Sequence, residues 1–115
     1  MASSATLERF RDTEPLARAR AVERGLPIAM VRNLLGDKSV TIGHLARVVA
    51  PRRTIERRLK LGQALSTEES DRLARLFGIL ETASDLFGGR GEAMDWLLAP
   101  KRAFDGDAPL DLIRT

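Results

Sequence analysis

Apolar residues recur along this chain at spacings of three and four, and a period of two persists nowhere, so the pattern predicts helices throughout. The stretch from Met1 to about Asp12 is small, polar and charged, with only Leu7 and Phe10 to bury, and residues 1–14 are expected to form a flexible N-terminal arm. Thr13 can cap a helix whose first turn holds Pro15 and which Gly25 closes, with Leu16, Ala19 and Val22 as its apolar stripe. Pro27 opens a second helix through Ile28, Met30, Val31, Leu34 and Leu35, ending at Gly36-Asp37. Thr41 is the natural N-cap of a third helix, carrying Ile42, Leu45, Ala46, Val48 and Val49, and Pro51 forces the chain to turn after it. From Arg52 to Lys60 the apolar residues Ile55 and Leu59 stand four apart among arginines, and Gly62 terminates the segment.

Ser66 and Glu69 have the spacing of a capping box. The helix they start is the longest, with Leu73, Leu76, Phe77, Leu80, Ala83, Ser84 and Phe87 down one side until Gly88-Gly89 stops it. A shorter helix from about Gly91 to Leu98 would bury Ala93, Trp96 and Leu97, and Pro100 limits it. The tail is a glycine turn at Gly106 followed by a helical turn started by Pro109. The expected architecture is all-α: a helix-turn-helix-like region over 15–65 and a second helical half over 66–115.

With 115 residues there is room for one compact domain and a short tail, which leaves little space for a large catalytic cleft. Hydrophobic residues make up 43% of the chain, enough to build a core. Cysteine is absent and His44 is the single histidine, so disulfides, thiolate sites and multi-histidine zinc sites are excluded. Neither a secretory apolar segment nor a membrane-length apolar run is present, and a cytoplasmic location is expected.

The formal net charge is a modest +3, but its distribution is uneven. Arg47, Arg52, Arg53, Arg57, Arg58 and Lys60 face a single acid, Glu56, whereas acids outnumber bases from Ser66 onward. A basic middle and an acidic end fit two different partners. Two short helices joined by a tight turn, the second rich in arginine, are the ingredients of a helix-turn-helix, with 41–49 supporting and 52–60 reading. With Ile55 and Leu59 turned inward, Arg52, Arg53, Thr54, Arg57 and Lys60 are the candidate DNA contacts, by guanine forks near the helix start and phosphate neutralisation elsewhere. The alternative is a solvated helix whose arginines are occupied by the acidic half or a second subunit.

No catalytic constellation is legible. His44 lacks a histidine or cysteine partner and reads as a helix-surface or packing residue. Glu68/Glu69 and Asp105/Asp107 read as helix-start and turn residues rather than general acids. Gly88-Gly89-Arg90-Gly91 follows no strand and precedes no lysine-serine pair, so it reads as a connector and not a phosphate loop. An enzyme is disfavoured and no cofactor or metal is expected.

Three groups, Arg53-Thr54-Ile55-Glu56-Arg57-Arg58-Leu59, Gly62 to Ser66, and Glu69-Ser70-Asp71-Arg72-Leu73-Ala74-Arg75, resemble the Xre/MbcA/ParS antitoxin family, the partners of RES-domain toxins. Ala93-Met94-Asp95-Trp96-Leu97-Leu98-Ala99-Pro100, Ala103 to Gly106, Pro109 to Ile113, and Thr115 resemble that family's toxin-binding domain. The joint spacing covers roughly Gly25 to the last residue. The resemblance implies a helical antitoxin that binds an NAD-degrading RES-domain toxin, occludes its active site, and often represses its own operon as a dimer.

It also implies a toxin-binding set: Trp96, Pro100, Lys101, Arg102, Phe104, Asp105, Pro109, Leu110, Asp111, Ile113, Arg114 and Thr115. The tail from Phe104 to Thr115 is expected to lie against the toxin's cleft, with Arg114 and the chain's end nearest the opening. Removal of Pro109 to Thr115 is expected to leave the fold intact. Trp96 has two readings, a plug beneath the long helix or a partner contact, of which the core plug is preferred. The competing function is a free-standing transcriptional regulator of the Xre type. A homodimer is expected of a helix-turn-helix protein facing a two-fold operator, and attraction between the basic and acidic halves is expected to favour a higher assembly with the toxin.

Overall fold

The computed structural model describes residues 14–114; the N-terminal arm including Leu7, Phe10 and Thr13, and the final Thr115, lie outside the described residues. All regular structure among the described residues is helical. It comprises α1 (Pro15–Arg24), α2 (Ile28–Gly36), α3 (Ile42–Val48), α4 (Arg52–Leu61), α5 (Thr67–Phe87), α6 (Arg90–Leu98), a 3₁₀ turn (Arg102–Phe104) and α7 (Pro109–Ile113).

Each helix end has a local cause. Pro15 opens α1, and Glu14 stands at the N-cap with a side chain that makes no capping bond. The apolar stripe of α1 also differs from expectation: Leu16 is 62% exposed and Ala19 is exposed, while Ala21 and Val22 pack on the core. Three residues turn a helix about 60° short of a full circle, so a strict i, i+3 row walks around the surface. At the start of α3, Thr41 Oγ1 accepts from the His44 amide (3.2 Å) and His44 Nδ1 accepts from the Thr41 amide (3.0 Å). This histidine is therefore one half of a capping box. Ser66 and Glu69 make the predicted box at the start of α5, with bonds of 3.1 and 2.9 Å.

Gly25 and Ser70 fasten the first helices to the long one. Gly25 has φ +96°, and a Cβ there would stand 2.3 Å from the Leu65 carbonyl oxygen, so the backbone crossing admits only glycine. Beside it, the Leu26 amide donates to Ser70 Oγ (2.7 Å) and the Leu65 amide donates to the Leu26 carbonyl (3.0 Å). Ser70 is fully buried, and its hydroxyl satisfies an amide that would otherwise be stranded.

A single core runs from Leu26 through Leu34, Leu45, Ile55, Leu73, Leu80 and Leu97 to Leu110 and Ile113, so the stretches 15–65 and 66–115 share one interior. α5 is its spine, packing on α1, α3, α6 and α7. The last helix, α7, rests on α3, α5 and α6. Its Pro109, Leu110 and Ile113 are buried, which contradicts the expectation that removing 109–115 would spare the fold. On α6 the buried positions are Ala93, Met94 and Leu97; Trp96 is 37% exposed and is a surface residue, not the core plug. Phe87, predicted on the inner face of α5, is 42% exposed at the helix end, because the chain leaves the core at Gly88.

Candidate protein and nucleic-acid interfaces

The α3–turn–α4 unit is built from its apolar residues upward. Leu45, Val48, Val49 and Ala50 are buried, Pro51 stands at the N-cap of α4, and Ile55 is sealed at 1% exposure. Leu59 packs partly against the same core, so α4 is held by one side. Arg53, Arg57 and Lys60, spaced i, i+4, i+7, form a ridge on the other side. All are exposed, and none has an ion-pair partner among the described residues. Arg52 is exposed at the helix start and pairs at 3.4 Å with Glu56, while Thr54 is half-buried.

Two other basic residues of the middle segment are occupied by the acidic half. Arg47 grips Asp111 through both carboxylate oxygens, at 2.8 to 3.1 Å, joining α3 to α7. Arg58 binds Glu69 at 2.7 and 3.2 Å in a largely buried pair, 17% and 12% exposed, and also donates to the Ala64 carbonyl. The alternative of arginines consumed by the acidic half thus describes Arg47 and Arg58. It does not describe the ridge of α4.

The electrostatics of the caps follow from these contacts. Burial pushes the Glu69 carboxyl up, but hydrogen bonds from Arg58 and from the Ser66 amide, with the Arg58 charge, outweigh it and hold the group below the ordinary carboxylate value. His44 is shifted down, by burial first and by the nearby Arg47 charge second, which keeps its Nδ1 free to accept the capping bond.

The C-terminal segment presents a different kind of surface. Lys101 anchors a tight loop: its amide donates to the Asp107 carbonyl (3.0 Å), and its carbonyl accepts from Phe104 (3.0 Å) and Gly106 (2.9 Å). Asp105 takes a left-handed conformation at φ 55° within it. This geometry lifts Arg102, Phe104 and Asp105 into solvent. The Lys101 ammonium lies 5.0 Å over the Trp96 ring, and Trp96 stands 5.7 Å from Phe87, so the loop continues into an aromatic pair.

Of the residues assigned to toxin binding, Lys101 lies over the Trp96 ring, and Pro100, Arg102, Phe104 and Asp105 are exposed beside Lys101 or in the loop it anchors. Asp111 and Arg114 are exposed on α7 and its end, Pro109, Leu110 and Ile113 face the interior, and Thr115 is outside the described residues. Sequence reasoning missed two arginines of α5. Arg72 donates to the Val49 carbonyl (2.7 Å) at the end of α3, and Arg75 donates to the Ile113 carbonyl (3.1 Å) at the end of α7. Both satisfy carbonyls that a helix end leaves unpaired. No local spacing signals them, because their partners lie far along the chain. Also missed was an apolar groove of about 530 Å³ along α5, lined by Gly78, Ile79, Thr82, Leu86, Phe87 and Trp96 among others.

A buried support helix, a proline-broken turn and a one-sided basic helix define a helix-turn-helix protein, here sharing its core with a C-terminal helical extension. Residues 17–78 match the model of the Antitoxin Xre-like helix-turn-helix domain, and residues 82–115 match that of the Antitoxin Xre/MbcA/ParS C-terminal toxin-binding domain. The chain belongs to the Xre antitoxin family. Among curated proteins it is similar to an "Antitoxin Xre" of Pseudomonas putida, 39% identical over 67 residues, covering 58% of this chain and 42% of the relative. It is also similar to an "Antitoxin Xre" of Yersinia enterocolitica, 35% identical over 97 residues, covering 83% of this chain and 66% of the relative. The matched region thus spans less than two thirds of either relative. Both matched modules are binding modules, not enzymatic ones.

Proposed function

We propose that the protein is the antitoxin of a toxin–antitoxin pair, masking its toxin with the surface around the Lys101–Asp107 loop and contacting operator DNA with α4. The observation that carries this reading is the presence of both modules in one chain, built on a shared core. The toxin is of the RES-domain, NAD-degrading class, and the loop with Arg114 blocks its cleft; the support for this is the sequence resemblance described above. Arg53, Arg57 and Lys60 supply the DNA contacts, with Arg52 at the helix start, because they are the basic side chains of α4 that the fold leaves outward and accessible. The protein acts in the cytoplasm as a homodimer and joins its toxin in a larger assembly. No described helix is long and apolar enough to cross a membrane.

Growth rescue tests the first half. Co-expression with the product of the neighbouring gene relieves toxicity, and replacing exposed Arg102 and Phe104 by alanine abolishes relief without changing the melting temperature. Truncation at Pro109 is unsuitable for this purpose, because it removes Leu110 and Ile113 from the core. Undiminished rescue by the loop variant refutes the masking surface. For the second half, Arg53→Ala with Arg57→Ala weakens binding to operator DNA and lowers the slope of log affinity against log salt by about 2. An unchanged slope dismisses α4 as the contact helix.

A further inference from the structure

A helix leaves its last carbonyls without intrahelical donors, and at the end of α4 one of them is filled from a different helix. Gly62 takes a left-handed conformation at φ 67°, and just past it the Gln63 amide donates back to the Arg58 carbonyl (3.0 Å) rather than to that of Leu59. Arg32 Nη2 donates to the Leu59 carbonyl instead, at 2.8 Å. Arg32 stands on α2, whose buried residues are Ile28, Met30, Val31 and Leu34, and is itself exposed. A cation suits this position, because the C-terminal end of a helix carries partial negative charge. No carboxylate pairs with Arg32 among the described residues, so the bond fixes the guanidinium without neutralising it.

We propose that Arg32 is a DNA-backbone contact supplied from outside α4, its fixed guanidinium binding a phosphate oxygen beside the C-terminal end of that helix. The inference rests on the reading of α4 as the DNA-contacting helix and adds a residue on a second helix. From Arg53 to Lys60 the basic ridge covers about 10 Å of helix axis, and a major groove is about 12 Å wide, so the ridge fits within the groove. Helix carbonyls point toward the C-terminus, which sets the Arg32 guanidinium beyond Leu59 and carries the positive surface outward to where the phosphates stand. Lys60, exposed and next to Leu59 in the chain, adds a second cation at the same end. A guanidinium has five N–H donors, of which the Leu59 carbonyl takes one. The rest can fork onto the paired oxygens of a phosphodiester, while base edges are left to α4. Because the side chain is held before DNA arrives, little ordering cost remains for the contact.

Fluorescence anisotropy of the full chain with two labelled duplexes, one carrying the promoter of its own gene and one of unrelated sequence, tests the assignment over about 0.05–0.3 M salt. Arg32→Gln keeps an N–H for the Leu59 carbonyl and removes the charge, which separates capping from phosphate binding. It should lower the slope of log affinity against log salt by about 0.9 and weaken binding at 0.1 M salt by about eightfold, on both duplexes alike. Arg32→Lys, which keeps the charge, should hold the slope of the unaltered protein. An unaltered slope in Arg32→Gln makes the arginine a helix cap only and overturns the proposal. A loss confined to the promoter duplex also overturns it, since Arg32 would then act by steadying the base contacts of α4. The Arg53→Ala, Arg57→Ala protein is measured alongside. If it lowers the slope and Arg32→Gln does not, this inference alone fails; if neither does, α4 is not the contact helix and both readings fall.

Discussion

Leu110→Ala tests whether the last helix is a detachable tail or part of the fold. Leu110 is fully buried, and it fastens α7 to a core shared with the helix-turn-helix. Removing three carbons forfeits about 2.4 kcal/mol of transfer free energy at about 0.8 kcal/mol per methylene. The residual cavity adds to this, although a site on a short terminal helix can partly collapse, so about 3 kcal/mol is expected. The Arg47–Asp111 pair cannot make up the difference: it is 40% and 43% exposed, and pairs of that kind contribute at most about 1 kcal/mol. Apolar burial, not the ion pair, holds α7 in place. At about 4 °C per kcal/mol the melting temperature should fall by about 12 °C, in one transition that includes α3 and α4. Leu112→Ala, at a position 39% exposed on the same helix, serves as the control and should cost no more than about 1 kcal/mol. Calorimetry with both variants decides the matter. Equal, small shifts would refute the shared core, as would a separate low-temperature transition confined to the C-terminal half.

Ser70→Ala strands the buried Leu26 amide and should lower stability by about 1–3 kcal/mol, read as a lower urea midpoint at an unchanged m value. Gly25→Ala imposes a side chain on a φ of +96° and on the Leu65 carbonyl, so a loss of more than about 2 kcal/mol, or failure to fold, is expected by circular dichroism. Acid should act in two windows. The folded His44 binds its proton more weakly than the unfolded chain does, so its contribution is intact above the ordinary imidazole value of about 6.5 and is lost as pH falls from there through the lower value of the folded state. Amide exchange at Thr41–Leu45 should rise over the same range as Nδ1 stops accepting. The depressed Glu69 carboxyl behaves as a second, more acidic step: its contribution persists until pH drops below the ordinary carboxylate range, and Glu69→Gln should remove that step from the melting-temperature profile.

What the chain determined by itself is local. Pro15, Thr41, Pro51, Gly62, Ser66-Glu69, Gly88 and Pro109 each set a helix boundary through backbone geometry or a bond within four residues, and the observed ends fall there. The basic character of α4 and its inward Ile55 were also legible, since a helix's faces follow from spacing alone. Only tertiary structure decided which arginines remain outward: Arg47 and Arg58 are taken by Asp111 and Glu69, whereas Arg53 and Arg57 are not. It decided too that Met94 and not Trp96 is buried on α6, and that Leu110 and Ile113 serve this chain's own core. Periodicity says that a face is apolar; it carries no information on which apolar face finds a neighbour. That depends on contacts between residues far apart in sequence, and α5, which carries Ile79 and Leu86 outside its buried face, is where the ambiguity is greatest.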